Sequence, residues 1–204
     1  MSQSTVSRIV RQPLTTIRGA IGHIGVGAAI RVMCAACVRP VFASRNLHHL
    51  WNHSLESAQV AEELALTSKC VDPAEAFLAG LIHDIGRLAF SLLSCDYQAR
   101  SQRLDEYGCP PVLVEQALTG TSHAEIGAEL LRVWVLPGQI VDAVKFHHDP
   151  QESAGPLAAL LYVTELRTMP DEDLPSFIKL EHALKMLNLA REVVVGVSAR
   201  AIAS

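Results

Sequence analysis

The chain has 204 residues, 50% hydrophobic and 19% charged, a balance that supplies a large core and excludes an intrinsically disordered protein. Aromatic residues make up only 5%, so the core must close through many aliphatic contacts, which favours packed helices. Against 21 Asp and Glu stand 17 Lys and Arg, a net charge of −4 with no basic run, which argues against nucleic-acid binding by bulk electrostatics.

Arg8, Arg11 and Arg18 precede an apolar stretch from Gly19 to Val38. His23, Arg31 and the glycines at 22, 25 and 27 interrupt it, so it reads as two short core helices rather than a signal peptide or a membrane span. The first runs through Ile17 and Ile21 and stops near Gly25; the second continues to Pro40. Cys34 and Cys37 lie in the apolar run Val32-Met-Cys-Ala-Ala-Cys-Val38 and read as small buried filler. The five cysteines include no second pair to complete a four-thiolate zinc site, and a reducing cytoplasm fits them best.

From Leu47 onward, Leu50, Trp51, Ser54, Ala58, Ala61 and Ala65 recur at three- and four-residue steps, one buried face of a long helix that carries His53. Asp72 before Pro73 is an N-cap with proline at the first helical position. The helix from Ala74 to Ile85 should end at Gly86, bringing His83 and Asp84 to its last turn. Ser122-His-Ala-Glu125 is a capping box that starts a helix from His123 to about Trp134. Pro137 opens a helix ending near His148, and Pro156 opens another ending before Pro170. Two more follow, from about Leu174 to Leu189 and from Ala190 onward; Val193 to Val195 find no partner strand and read as helix. The segment from Asp149 to Gly155 carries turn chemistry and is expected on the surface. The expected fold is all-α, a multi-helix bundle forming a single domain over 1–204, with the Arg45 region as a seam between two lobes.

Nine histidines are many for this length. A single histidine beside an apolar face usually serves as hydrogen-bonded structure, and His23, His48, His49 and His182 are read that way. His53, His83 with Asp84, His123 and the His147-His148 pair differ, because they lie on separate predicted helices that would converge on one pocket. Imidazole nitrogens with a carboxylate able to span two ions are metal-ligand chemistry, suited to Mn, Fe, Ni or Zn.

The run Ala76-Phe-Leu-Ala-Gly-Leu-Ile-His-Asp-Ile-Gly-Arg87 resembles the His-Asp signature of the HD superfamily of metal-dependent phosphohydrolases. Together with Trp51-Asn-His-Ser54, the segment from His123 to Pro137 and the His-His pair before Pro150, it is similar in order and spacing to the HDOD domain, the HD-related output domain of bacterial signalling proteins. Leu14 to Gly25 also resembles that family's preceding helix, so the likeness covers roughly residues 13 to 190. It implies an HD-like subdomain over about 46–190, with the helices of 14–40 as a shortened first lobe. It also implies a metal-ligand set of His53, His83, Asp84, His123, His147, His148 and Glu165, the last standing where HD enzymes carry aspartate.

The resemblance implies a regulatory output module that acts through signalling proteins or a small nucleotide-like ligand, with no nucleic-acid or membrane partner and a cytoplasmic location. Its alternative is a metal-dependent phosphohydrolase, in which Asp84 and Arg87 are the catalytic residues and Arg87 grips the phosphate. After His148 the sequence reads Asp-Pro-Gln-Glu-Ser-Ala-Gly155, without the Gly-Tyr-Pro motif of the related cyclic di-GMP phosphodiesterases, so that substrate loses support.

Overall fold

The computed structural model describes residues 21–22, 25–42, 47–168 and 176–195. The expected helix through Ile17, His23 and the seam near Arg45 lie outside them. The described residues form helices and no strand: α1 (Val26–Phe42), α2 (His48–Ser68), α3 (Pro73–Ile82), α4 (Arg87–Phe90), α5 (Cys95–Glu106), α6 (Pro111–Thr119), α7 (His123–Val133), α8 (Gly138–Lys145), α9 (Pro156–Thr168), α10 (Phe177–Leu187) and α11 (Glu192–Val195). None is long and apolar enough to cross a membrane.

Local chemistry sets most of the boundaries. The Asp72 carboxylate accepts from the backbone N–H groups of Ala74 and Glu75 at 2.9 and 3.1 Å, with Pro73 opening α3. Glu125 N–H donates to Ser122 Oγ at 3.3 Å while Ser122 N–H donates to Glu125 Oε2 at 3.0 Å, so the capping box forms and His123 is the first residue of α7. Some boundaries differ from expectation: α3 ends at Ile82 rather than Ile85. Helix α1 continues past Pro40 to Phe42, because Val38 and Phe42 are buried and the Phe42 ring packs 5.8 Å from Trp51. Cys37 on this helix is exposed, while Cys34 is half-buried and packs against the core, so only Cys34 serves as filler.

Helix α9 is the axis of the core. Every residue from Leu157 to Leu166 is buried, and the helix touches α2, α3, α8 and α10. A helix apolar on all sides must be surrounded, so the one acidic residue in that run, Glu165, needs a partner inside the protein. Helices α2 and α3 pack antiparallel at very close range. A Cβ on Gly80 would stand 2.8 Å from the Ser57 carbonyl oxygen and 2.9 Å from Ala58 Cα, closer than atoms tolerate. Gly80→Ala should therefore destabilise the fold by about 1–3 kcal/mol, the usual cost of overpacking. A urea midpoint equal to that of the native chain would refute this close approach.

Candidate metal centre

The site forms where two turns and three helices meet. His53 projects from α2 and Glu165 from α9; His83 and Asp84 lie in the turn that follows α3, and His123 opens α7. His147 and His148 lie in the turn after α8, which ends at Lys145 rather than near His148 as the sequence suggests. That turn is fixed from α10, where Lys179 Nζ donates to the His148 carbonyl at 3.0 Å and pairs with Asp149 at 3.2 Å. The following segment is only in part the surface loop expected: Gln151, Glu152 and Ala154 are exposed, while Pro150 and Ser153 are buried and Pro150–Glu152 form a 3-10 turn.

Glycine makes the convergence possible. A Cβ on Gly86 would fall 2.0 Å from the His123 carbonyl oxygen, so only glycine lets the turn carrying His83 and Asp84 lie backbone-to-backbone against the start of α7.

The side chains fall into two groups of potential ligands, His53, His83, Asp84 and Glu165, and His123, His147 and His148. In the first, His83 Nε2 lies 2.9 Å from Glu165 Oε2, and His53 Nε2 lies 3.3 Å from His83 Nε2 and 3.4 Å from Asp84 Oδ2. In the second, His123 Nε2 lies 3.3 Å from His147 Nε2 and 3.0 Å from His148 Nε2. Asp84 joins them, with Oδ1 3.2 Å from His123 Nε2 and Oδ2 facing His53. Glu165 reaches both His53 and His83 despite its extra methylene, so the departure from aspartate does not remove it from the group.

The outer nitrogens explain why the rings face inward. His83 Nδ1–H donates to the Gly80 carbonyl at 2.8 Å, His147 Nδ1–H to the Val144 carbonyl at 2.7 Å and His123 Nδ1–H to Glu115 Oε2 at 2.7 Å. Carbonyls and carboxylates only accept, so each Nδ1 carries a proton and each ring turns its Nε2 toward its neighbours. Facing nitrogens need a proton or a cation between them. Nitrogens 3.0–3.3 Å apart match the edge of a coordination shell with bonds of about 2.0–2.1 Å, so the donor set fits a divalent metal ion.

The electrostatics are those of a buried, strongly coupled cluster. Burial alone would raise Asp84, but Arg87, His83 and His123 hold its carboxyl well below the usual carboxylate range. Burial opposes ionisation of Glu165 as well, and hydrogen bonds from His53 and His83 keep it well below that range. Burial also works against a charged His53 and a charged His123, yet the carboxylates beside them raise His53 to about 10 and His123 to about 9. His147, buried and crowded by His148 and His83, is pushed well below the ordinary imidazole value and stays neutral.

Arg87 Nε stands 2.9 Å from Asp84 Oδ2, so this cation neutralises part of the cluster while its side chain remains partly exposed. It lines a cleft of about 770 Å³ that also reaches His53 and Glu115. His48 and His49 are exposed and His182 half-buried, and none belongs to either group. Glu115 is the residue that sequence reasoning missed. It is buried on α6, a helix marked only by Pro111 at its start and a left-handed Gly120 at its end.

Fold and site together define an all-helical domain built around a histidine–carboxylate centre with two groups of metal-type donors. A model of the HDOD domain matches residues 4–150, and the chain belongs to the HDOD domain family. In the fold it is similar to an HDOD domain protein of unknown function from Geobacter sulfurreducens, with a TM-score of 0.76, 21% identity and coverage of 95% of this chain and 73% of that one. It is also similar to a candidate phosphohydrolase from Shewanella amazonensis, with a TM-score of 0.70, 22% identity and coverage of 90% and 72%. Among curated proteins, an uncharacterised protein from Treponema pallidum is 28% identical over 102 residues, 49% of this chain and 20% of that one. Ribonuclease Y from Thermus thermophilus is 32% identical over 120 residues, 59% and 16% of the two chains. The chain thus spans a fifth or less of these two curated relatives' length.

Proposed function

We propose that this HDOD domain holds one or two divalent cations and hydrolyses phosphoesters. The observation that carries the reading is the set of Nε2 atoms facing one another at 3.0–3.3 Å, with the outer nitrogens of His83, His123 and His147 tied to acceptors. His53, His83, Asp84 and Glu165 would hold one ion; His123, His147 and His148, with the other Asp84 oxygen, would hold a second. A divalent cation bound there supplies Lewis acidity to a phosphoryl oxygen and lowers the pKa of water. Asp84 keeps both groups in register, and Arg87, partly exposed on the cleft, would bind the substrate phosphate and complete the catalytic pair with Asp84. Mn, Fe, Ni and Zn all suit imidazole with carboxylate.

A second reading keeps the metal and assigns the output to signalling contacts. It is favoured by the end of α7 and the turn after it, where Val133 and Val135 are 77% and 87% exposed and Val135 holds a φ of 59°, costly for a β-branched residue. The structural likeness to a candidate signal transduction protein from Marinobacter aquaeolei, TM-score 0.59 at 24% identity, agrees with it. Here a nucleotide-like ligand in the cleft would set the contact, in the bacterial cytoplasm.

Metal analysis of untagged protein, followed by assays on an aryl phosphodiester, an aryl phosphomonoester and a short RNA, separates the readings. Stoichiometric metal with chelator-sensitive turnover is expected. Metal without turnover on any of the three supports the signalling reading, and no metal with no turnover removes both. The RNA is included because of the ribonuclease relatives, although the charge balance predicts that it is the poorest substrate.

A further inference from the structure

Helices α5 and α6 form a hairpin that stands apart from the rest of the fold. They pack on each other, and neither contributes to the hydrophobic cluster that runs from Val38 to Leu187. No residue of α5 whose burial is described is fully buried, and α6 buries only Val114 and Glu115. The 770 Å³ cleft lies between this hairpin and the body, with His53 and Arg87 on the body side and Tyr97, Gln98 and Val114 on the hairpin side.

A unit with so little apolar burial is held by specific ties. On α5, Gln98 Nε2 donates to the Phe90 carbonyl at 2.8 Å and the Tyr97 ring stacks on Phe90 at 5.8 Å. On α6 the tie is Glu115, whose Oε2 accepts both the backbone N–H and the Nδ1–H of His123, each at 2.7 Å. The hairpin therefore grasps the outer face of a ring whose inner nitrogen faces His147, His148 and Asp84.

We infer that Glu115 is a positioning residue that couples closure of the α5–α6 hairpin over the cleft to metal at the His123, His147 and His148 group. The inference rests on the metal reading above. The carboxylate fixes the orientation of the His123 ring and raises electron density at Nε2, which strengthens it as a ligand. A cation held jointly by His123, His147 and His148 fixes the His123 ring in the orientation in which Nδ1–H meets Glu115, a constraint that a proton on Nε2 alone does not impose. Each event favours the other, and linkage makes the coupling reciprocal. Metal loading then favours the closed form of the substrate cleft.

The test measures hydrogen exchange across 95–119 in the full chain with Mn²⁺ and with chelator, alongside Mn²⁺ titrations. In the native chain Mn²⁺ should slow exchange in the hairpin. Glu115→Gln should abolish that metal-dependent protection and weaken Mn²⁺ binding by about 10- to 100-fold at one group while sparing the other. Glu115→Asp keeps the charge but retracts the oxygen, and should act in the same direction if the glutamine variant does not fold. Gln98→Ala, which cuts a tie unrelated to the metal, should loosen the hairpin and retain the Mn²⁺ response. Protection by Mn²⁺ that is as large in both Glu115 variants as in the native chain, or unchanged Mn²⁺ affinity in both, overturns the coupling alone. A native chain that takes up no Mn²⁺ overturns the metal reading and this inference with it.

Discussion

Asp84→Asn should abolish both turnover and the stabilisation of the fold by metal. Asp84 is fully buried, and its two oxygens face different imidazole groups while Arg87 pairs with it at 2.9 Å. Asparagine keeps the shape and removes the charge, leaving Arg87 and the neighbouring imidazoles without their counter-ion. Breaking a buried pair in this way costs about 3–5 kcal/mol, so the metal-free variant should melt well below the native chain. In the native chain, metal at a hundredfold excess over Kd should add about 2.7 kcal/mol, a rise of roughly 5–10 °C for a domain of this size. A variant with the full metal-induced rise would remove Asp84 from the centre.

The second large effect concerns pH. His53, raised to about 10, and His123, raised to about 9, are protonated at neutral pH in the metal-free fold, one in each ligand group. Their raised values give the metal-free fold a stabilising contribution that is complete below about pH 6.5, the unfolded value, and is lost as pH rises through 9 and 10. Cation uptake must displace these protons. Apparent affinity should therefore climb by about tenfold per pH unit at each group from about 6.5 up to the folded values. Asp84 and Glu165 are held low and stay ionised throughout this range, so they add no slope. Mn²⁺ titrations at three pH values between 7 and 9 measure it; a flat profile there would mean ordinary imidazoles, whose dependence ends near pH 6.5.

What the sequence revealed and what it hid divide along physical lines. The capping box at Ser122, the Asp72-Pro73 start and the apolar run Leu157–Val163 of α9 are local signals, legible because caps and hydrophobic runs act within a few residues. The convergence of His53, His83, Asp84, His123, His147, His148 and Glu165 was legible through spacing and family resemblance. The α5–α6 hairpin was not, because Cys95–Glu106 is polar around its circumference and offers no apolar stripe to count. Glu115 was hidden with it, since nothing in a helix surface pattern marks which carboxylate will be covered by a neighbour. The ion pair between Arg87 and Asp84 depends on a turn whose path is set by the close approach at Gly86, a tertiary fact invisible in the linear order.

The ligand set draws on positions from 53 to 165, so a cation held there fastens the beginning of the helical body to its end. Such contacts are non-local, the kind a chain finds late and at an entropic cost that grows with the loop they close. Metal in this centre would thus be a reversible staple across more than half of the polypeptide, acting on how slowly the domain comes apart as well as on what it does once assembled.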